Sequence, residues 1–345
     1  MEEETMGVNV TRQYVSTTQS KVRRAAPGES VIHRLRTRVE RMGSMKAFIQ
    51  AGFRRVLSGS FRIWELFGIH ITPNYFESPI PDSHSLRDEL WSRRSNMVGI
   101  DLRETQQLDL LETFVKRYKT EYERFPRSKP RCLYQYYVDN KFFEAVDGEM
   151  LYCIIRHFKP HRIYEVGSGN STLLAAEALL ENHRNGRPLA QLVAFDPYPK
   201  LSLRTGFPGL GKLRVSKIED IPSTVFHELE ENDILFLDSS HVVRIGGDVQ
   251  HEFLEILPSL RPGVIVHVHD IFLPAEYPRK MILERRRFFS EQYLLQAFLA
   301  FNSNFKVLWA SSFMHLNHPD LLERAFDAYA RESRWPVSFW IQRVS

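Results

Sequence analysis

From residue 162 onward, short apolar runs alternate with stretches of helical periodicity. Nearly continuous apolar runs are typical of strands that are buried on both faces of a sheet. The predicted strands are 162–166, 192–196, 213–216, 234–238, 264–269, 305–310 and 337–342. The predicted helices among them are 172–182, 222–230, 249–260, 283–301 and 319–331. This alternation predicts an α/β fold with a mostly parallel sheet and helices on both faces.

The first 139 residues show helical spacing without this alternation. Residues 1–30 are polar and are predicted to form a disordered tail, whereas residues 31–139 are predicted to be a helical extension or lid. Residues 140–345 form the predicted α/β domain. Large apolar residues recur at helical spacing in the extension at Met45, Ile49, Phe53, Val56, Phe61, Trp64 and Phe67. This spacing fits a helix that packs against the main domain, and it also fits one that lies on a membrane surface.

The charge distribution is uneven, although the net charge is only +4. Residues 1–70 contain 12 Lys and Arg but 6 Asp and Glu. The arginines at positions 34, 36, 38 and 41 could attract an anionic surface or simply form a solvated helix face. Because no aromatic residues are interleaved with them, a nucleic-acid partner is not predicted.

Two cysteines, Cys132 and Cys153, lack the spacing of metal ligands, which favours a reducing, cytoplasmic location. No apolar run approaches the roughly 20 residues that span a bilayer, and no secretory signal is visible. The oligomeric state is left open.

A glycine turn follows the first predicted strand, in the run from Ile163 to Thr172. Glu165 precedes the two glycines Gly167 and Gly169, and Asn170 begins the residues that can cap the next helix. A helix N-terminus beside bare backbone lets a nucleotide-like ligand approach closely. The dinucleotide pattern G-x-G-x-x-G is broken at Thr172, and the acid would repel a pyrophosphate.

Polar residues also follow three other strands. Asp196 ends the second strand, Asp238 ends the fourth, and His269 with Asp270 ends the fifth. His241 follows Asp238 by three positions. Because carboxyl ends of parallel strands share one edge, these groups are predicted to meet there. The mid-strand His267 is predicted to be a core residue, His251 to lie on a surface helix and Asp248 to cap a helix.

These elements resemble the class I S-adenosylmethionine-dependent methyltransferases over about residues 140–345. Glu165-Val-Gly-Ser-Gly169 is similar to the first motif of the family, and Asp196 stands where the ribose-binding acid is expected. The resemblance implies a Rossmann-like, seven-stranded sheet and S-adenosylmethionine as the cofactor. The implied cofactor-binding residues are Glu165, Gly167, Gly169, Asn170, Asp196, Glu219 and Asp238.

The runs Asp238–His241 and His269-Asp270 resemble small-molecule O-methyltransferases of cephalosporin and macrolide biosynthesis. The resemblance implies a magnesium or manganese ion held by Asp238, His269 and Asp270, with a histidine in place of one expected acid. The alternative is that His241 or His269, beside Asp238, acts as general base. The expected reaction is methylation of a hydroxyl on a small molecule or a sugar.

Two tyrosines are predicted to face the acceptor. Tyr277 lies in the proline-containing loop 271–278 that follows the fifth strand, and Tyr75 lies in the proline-rich segment 71–82. Two other functions remain open at this stage. One is a nicotinamide-dependent oxidoreductase, and the other is a scaffold that docks through its basic N-terminal helices.

Overall fold

A computed structural model of the chain describes residues 52–53, 55–57 and 59–345. It divides into two compact units, Met1–Asp82 and Ser83–Ser345. The predicted disordered tail, the arginine cluster at 34–41 and the first part of the predicted extension lie outside the described residues. Among the helices that the structure describes, none combines the length and the apolar character that a bilayer crossing needs.

The second unit contains a seven-stranded sheet with the order β3-β2-β1-β4-β5-β7-β6. Strands β1 to β5 are parallel, and β7 runs antiparallel between β5 and β6. The strands are β1 Arg162–Val166, β2 Gln191–Phe195, β3 Lys212–Arg214, β4 Ile234–Leu237, β5 Ile265–Val268, β6 Phe305–Ala310 and β7 Phe339–Arg343. All seven predicted strands are present, and the predicted fold class is confirmed.

The helices of this unit cover the sheet. They are α1 Glu104–Tyr122, α2 Asp147–Phe158, α3 Asn170–Arg184, α4 Leu201–Arg204, α5 Asp248–His251, α6 Leu257–Ser259, α7 Arg279–Leu283, α8 Glu291–Leu299, α9 Ser311–Asn317 and α10 Pro319–Ala325. A π-helical turn, Glu252–Ile256, joins α5 to α6, and the predicted helix at 222–230 is a 3₁₀ helix, Ser223–Glu228. The lid role of residues 31–139 remains a prediction, although α1 belongs to the same compact unit as the sheet.

Side chains alternate between the two faces of the sheet and build one apolar cluster on each. On β4, Phe236 packs with α1, α2 and α3, whereas Leu235 and Leu237 pack with α8 and the π-helical turn. Both clusters consist of buried residues, so the central strands are covered on both sides. This explains why their sequences read as continuous apolar runs.

The predicted helix 283–301 is wrong in its first third, because α7 ends at Leu283 and α8 begins only at Glu291, with an irregular segment between them. The amide groups of Ser290 and Glu291 both donate to the carbonyl of His241, at 2.9 and 3.2 Å. A tertiary contact thus satisfies the first N–H groups of α8 and sets where that helix begins. This contact also places the start of α8 at the carboxyl edge of β4.

Candidate active site

The turn after β1 requires glycine at position 167. Gly167 has φ +85°, and a Cβ there would lie 2.2 Å from the carbonyl oxygen of Asp238. The amide of Asp238 donates to the carbonyl of Val166 at 2.9 Å. The missing side chain therefore lets the end of β1 pass directly against the end of β4, and α3 begins three residues later at Asn170.

Glu165 lies beneath this turn and is 1% exposed. One carboxyl oxygen, Oε1, accepts a hydrogen bond from the Ser171 hydroxyl at 2.6 Å. The other, Oε2, is buried without a hydrogen-bond partner in the described part of the chain. Burial raises the pKa of Glu165 to about 8, against the opposing effect of the hydroxyls of Ser171 and Thr172. A cation placed beside Oε2 would reverse that shift.

A cleft of about 640 Å³ opens at the carboxyl ends of β1, β2 and β4. Asp196 stands on its wall, where its Oδ1 accepts a hydrogen bond from the amide of Tyr198 at 2.7 Å. Its Oδ2 accepts one from the Ser168 hydroxyl in the glycine turn. The carboxylate is thus fixed beside the turn. Such a placement suits the two hydroxyls of a ribose.

The structure brings four of the predicted cofactor-binding residues onto this cleft: Gly167, Asp196, Glu219 and Asp238. Gly169 and Asn170 line a smaller neighbouring pocket of about 160 Å³. The side-chain amide of Asn170 donates a hydrogen bond to Oδ1 of Asn140 at 3.0 Å, so the start of α3 is tied to the segment before α2. Their roles toward a ligand remain predictions.

Asp238 connects the cleft to a buried histidine. Nε2 of His241 lies 3.2 Å from Oδ1 of Asp238 and 3.5 Å from Oδ2 of Asp270. Nδ1 of the same ring lies 2.8 Å from Oε2 of Glu291, the first residue of α8. Two of the three carboxylates are partly exposed, whereas that of Glu291 is buried. The ring therefore joins two partly exposed acids, of which Asp238 lines the cleft, to one interior acid.

These contacts determine the charge of His241. Burial would lower its pKa, but the hydrogen bonds to Asp238 and Glu291 outweigh burial and raise the pKa well above 6.5. For Asp238, burial raises the pKa, but the charges of His269 and His241 outweigh it and the net shift is downward. His241 is therefore an imidazolium at neutral pH, and Asp238 is a carboxylate.

Two further acids lie close to this histidine. Glu252 accepts a hydrogen bond from the Ser239 hydroxyl at 3.1 Å, and burial raises its pKa well above the usual range. Asp248 accepts hydrogen bonds from both the amide and the hydroxyl of Ser240, at 2.9 and 2.6 Å. Asp248 also begins α5, where its Oδ1 accepts from the amide of Val249. The loop after β4 is therefore held in place by carboxylates.

The two histidines of β5 have different surroundings. His267 is fully buried and stacks on Phe236 with ring centroids 3.9 Å apart, and burial lowers its pKa well below 6.5. It is a neutral core residue, as predicted. His269 is 4% exposed at the end of β5, and its Nδ1 has no hydrogen-bond partner among the described residues. His269 directly precedes Asp270, whose carboxylate lies 3.5 Å from His241.

The predicted substrate residues are not part of the cleft wall. Tyr277 is 1% exposed, and its hydroxyl accepts a hydrogen bond from the amide of Gln292 at 3.0 Å. The loop 271–278 packs inward through Ile271 and Leu273, so the predicted open position of Tyr277 is corrected to a core position. Tyr75 belongs to the first compact unit and is 42% exposed there. Its predicted role is not tested by the structure.

The sequence did not reveal three residues of this site. Ser168 was only part of the glycine motif, and its bond to Asp196 appears in the folded turn. Glu291 and Glu252 lie in regions that were predicted as plain helices. In the sequence, each of these two acids falls at a position where helical spacing predicts burial. That spacing does not predict which residue a buried acid contacts.

Comparison with known proteins agrees with this geometry. A family model described as a methyltransferase domain matches residues 164–271, which span β1 to the end of β5. An uncharacterized protein of Archaeoglobus fulgidus is 31% identical over 172 residues, which cover 47% of this chain and 75% of that protein. Residues 164–271, which the family model matches, contain the glycine turn, Asp196, Asp238 and His269.

Solved structures give more distant matches. The SAH-bound methyltransferase PaMTH1 of Podospora anserina is 18% identical, with a TM-score of 0.37, over 69% of this chain and 88% of that one. The plantazolicin methyltransferase BamL, solved with a triazolic desmethylPZN analog and SAH, is 11% identical with a TM-score of 0.35. That match covers 71% of this chain and all of the other. The family model identifies residues 164–271 as a methyltransferase domain, and the glycine turn and the strand-end acids described above lie within it.

Proposed function

We propose that this enzyme transfers the methyl group of S-adenosylmethionine to a hydroxyl group of a small molecule. The observation that carries the proposal is the position of Asp238, which stands on the wall of the donor cleft and also contacts His241. A donor in the cleft and an acceptor beside the ends of β4 and β5 would therefore meet at this residue. Holding two reactants in line is the main task of a methyltransferase.

The donor brings a sulfonium, an ammonium and a ribose, and the sulfonium supplies an already activated methyl group. Asp196 is placed to accept hydrogen bonds from the ribose, because Ser168 and the Tyr198 amide fix its carboxylate. Glu165 offers a buried oxygen without a partner among the described residues. A positive donor group near that oxygen would favour the ionised form of the acid. Both features suit a cationic nucleoside.

The residues do not fit the metal ion that the resemblance implied. His241 lies within 3.5 Å of both Asp238 and Asp270, so a positively charged ring already contacts the two acids that would ligate the ion. In the described residues, no group of three or more His, Cys, Asp and Glu side chains is arranged to hold a metal. The proposed methyl transfer therefore involves no metal ion.

The acceptor proton needs a base, and the two histidines differ in their capacity to take it. His241 has both ring nitrogens engaged by carboxylates and carries a proton already. His269 has a ring nitrogen without a partner in the described chain. In the proposed step, a nitrogen of His269 takes the hydroxyl proton while the oxygen bonds to the methyl carbon. The carbon–sulfur bond breaks, and its electron pair stays on sulfur.

Two variants separate donor binding from proton transfer. Asp196→Ala should weaken S-adenosylmethionine binding on the order of 10- to 100-fold in calorimetry, because a fixed ribose partner is lost. His269→Gln should keep donor affinity but lower kcat by about 10²- to 10⁴-fold, because the proposed proton acceptor is lost. Glu112→Gln on the exposed side of α1 is the control and should change neither.

The acceptor class is tested by offering catechols, sugars and other hydroxylated compounds with labelled donor. Transfer of label to oxygen would support the proposal. Binding of NADH with no uptake of S-adenosylmethionine by the folded chain would contradict it. Full activity of His269→Gln would keep the donor assignment and refute the assignment of the base.

A further inference from the structure

Residues 52–67 form an amphipathic segment, which is helical at 52–53, 55–57 and 59–66. At 100° per residue, the large apolar side chains fall on one continuous arc with Ser60 among them. That arc contains Phe53, Val56, Leu57, Phe61, Ile63, Trp64 and Phe67. Arg55, Arg62 and Glu65 lie together on the remaining arc. The two classes of residue are thus largely separated around the helix, with Ser60 inside the apolar arc and Leu66 on the polar side.

The apolar arc faces solvent. Val56 is 68% exposed, Ile63 is 58% exposed and Phe67 is 73% exposed. Phe53 and Trp64 are also exposed. Scattered exposed apolar residues are ordinary, but a contiguous row of large side chains marks an interaction surface.

The helix is well defined at its C-terminal end. The amide of Ile69 donates to the carbonyl of Trp64 at 3.0 Å, and the amide of Gly68 donates to that of Glu65 at 2.9 Å. Gly68 has φ +69°, so these bonds form a Schellman motif with glycine at its left-handed position. The ring of Phe61 stacks on His70 at 5.2 Å. The amphipathic segment therefore ends as a regular helix.

Charge indicates what the apolar arc contacts. Arg55 and Arg62 are exposed on the polar arc, and residues 1–70 together hold 12 Lys and Arg against 6 Asp and Glu. A helix with aromatic and aliphatic residues on one side and arginines on the other is suited to the interface of a bilayer. Arginines near the headgroups are attracted by anionic lipids. A neutral protein groove would not use this excess of positive charge.

We propose that the amphipathic segment binds the surface of an anionic lipid bilayer. In this position the apolar arc enters the boundary between headgroups and acyl chains, and Arg55 and Arg62 lie among the lipid phosphates. The helix lies along the surface and does not cross it, because its polar arc carries several charges. Membrane attachment would concentrate the enzyme where apolar or lipid-derived hydroxyl compounds partition.

The test uses the full chain with phosphatidylglycerol–phosphatidylcholine vesicles and with phosphatidylcholine vesicles alone. We expect sedimentation with the anionic vesicles, weaker sedimentation with the zwitterionic ones and loss of the difference at high salt. Val56→Gln with Ile63→Gln should lower the partition coefficient on the order of 100-fold, because two apolar side chains no longer enter the lipid. Arg55→Gln with Arg62→Gln should lower anionic binding on the order of 10-fold.

Glu65→Gln is the matched control, since it changes the polar arc without removing apolar or basic groups. It should bind vesicles at least as well as the unaltered chain. S-adenosylmethionine binding, measured on every variant, reports folding independently of lipid and also tests the proposed function separately. The proposal is refuted if the folded chain does not bind anionic vesicles. It is also refuted if the chain with Val56→Gln and Ile63→Gln binds them as well as the unaltered chain does. Self-association through this face in place of vesicle binding would also overturn it.

Discussion

The buried acid Glu165 should destabilise the free enzyme in a pH-dependent way, and Glu165→Gln should relieve that effect. The pKa of this acid is about 8 in the folded chain against an ordinary value of 4.5. Between those two pH values the unfolded chain releases its proton and the folded chain retains it. Each pH unit in this window therefore favours unfolding by about 1.4 kcal/mol.

The expected stabilisation by Glu165→Gln follows from this difference. It is near zero at pH 4.5, about 3 kcal/mol at pH 7 and about 5 kcal/mol above pH 8, where it levels off. Glutamine preserves the shape of the protonated acid and can still accept the hydrogen bond of the Ser171 hydroxyl. These increases in the free energy of unfolding are of the size that a strongly buried ionisable group produces.

Urea unfolding at pH 5.5, 7.0 and 8.5 measures the effect, with Glu112→Gln as an exposed control that should shift stability by less than about 0.5 kcal/mol at every pH. The same Glu165→Gln protein should bind S-adenosylmethionine at least about 10-fold more weakly, since the acid that we propose to face the positive groups of the donor is gone. A stability difference that stays constant across the three pH values would refute the reasoning.

Two further predictions concern the turn and the histidine. Gly167→Ala should lose at least about 2 kcal/mol of stability in urea unfolding, because its Cβ would collide with the Asp238 carbonyl oxygen at a positive φ. Gly169→Ala should be nearly neutral, since in the described structure nothing lies within 4 Å of its Cβ, and equal losses would refute the argument. Glu291→Gln should lower the pKa of His241 in an NMR titration, because it removes a charge that holds the imidazolium, and an unchanged pKa would contradict this.

The sheet, and the edge of it that carries the candidate site, could be predicted from the sequence because both follow from the pattern of apolar and polar residues in short segments. Continuous apolar runs indicated the strands, and parallel order placed Asp196 and Asp238 at one edge. The glycine turn was recognisable because Gly167 has to admit the backbone of β4. These are properties of short segments, so one sequence contains enough information to find them.

The rest depends on contacts between distant parts of the chain. The start of α8 is set by the carbonyl of His241, about 50 positions away, and no helical period predicts that partner. Tyr277 was placed near the acceptor because its loop follows Asp270, but the loop turns inward and its hydroxyl binds Gln292. Packing against the rest of the protein decides whether a loop turns toward the core or toward solvent. The prolines in the sequence of this loop do not indicate that direction.

Two buried acids near His241, Glu252 and Glu291, affect how charge is distributed at the site. Glu252 and Glu291 each have one buried oxygen without a partner among the described residues, and burial raises the pKa of both. Two ionised acids so close would be costly, and the imidazolium beside Glu291 offsets only one negative charge. The charge of Glu291 adds to the effect of burial and raises the pKa of Glu252 further, whereas the hydrogen bond and charge of His241 oppose the rise for Glu291. His241 in turn contacts Asp238 at the wall of the donor cleft.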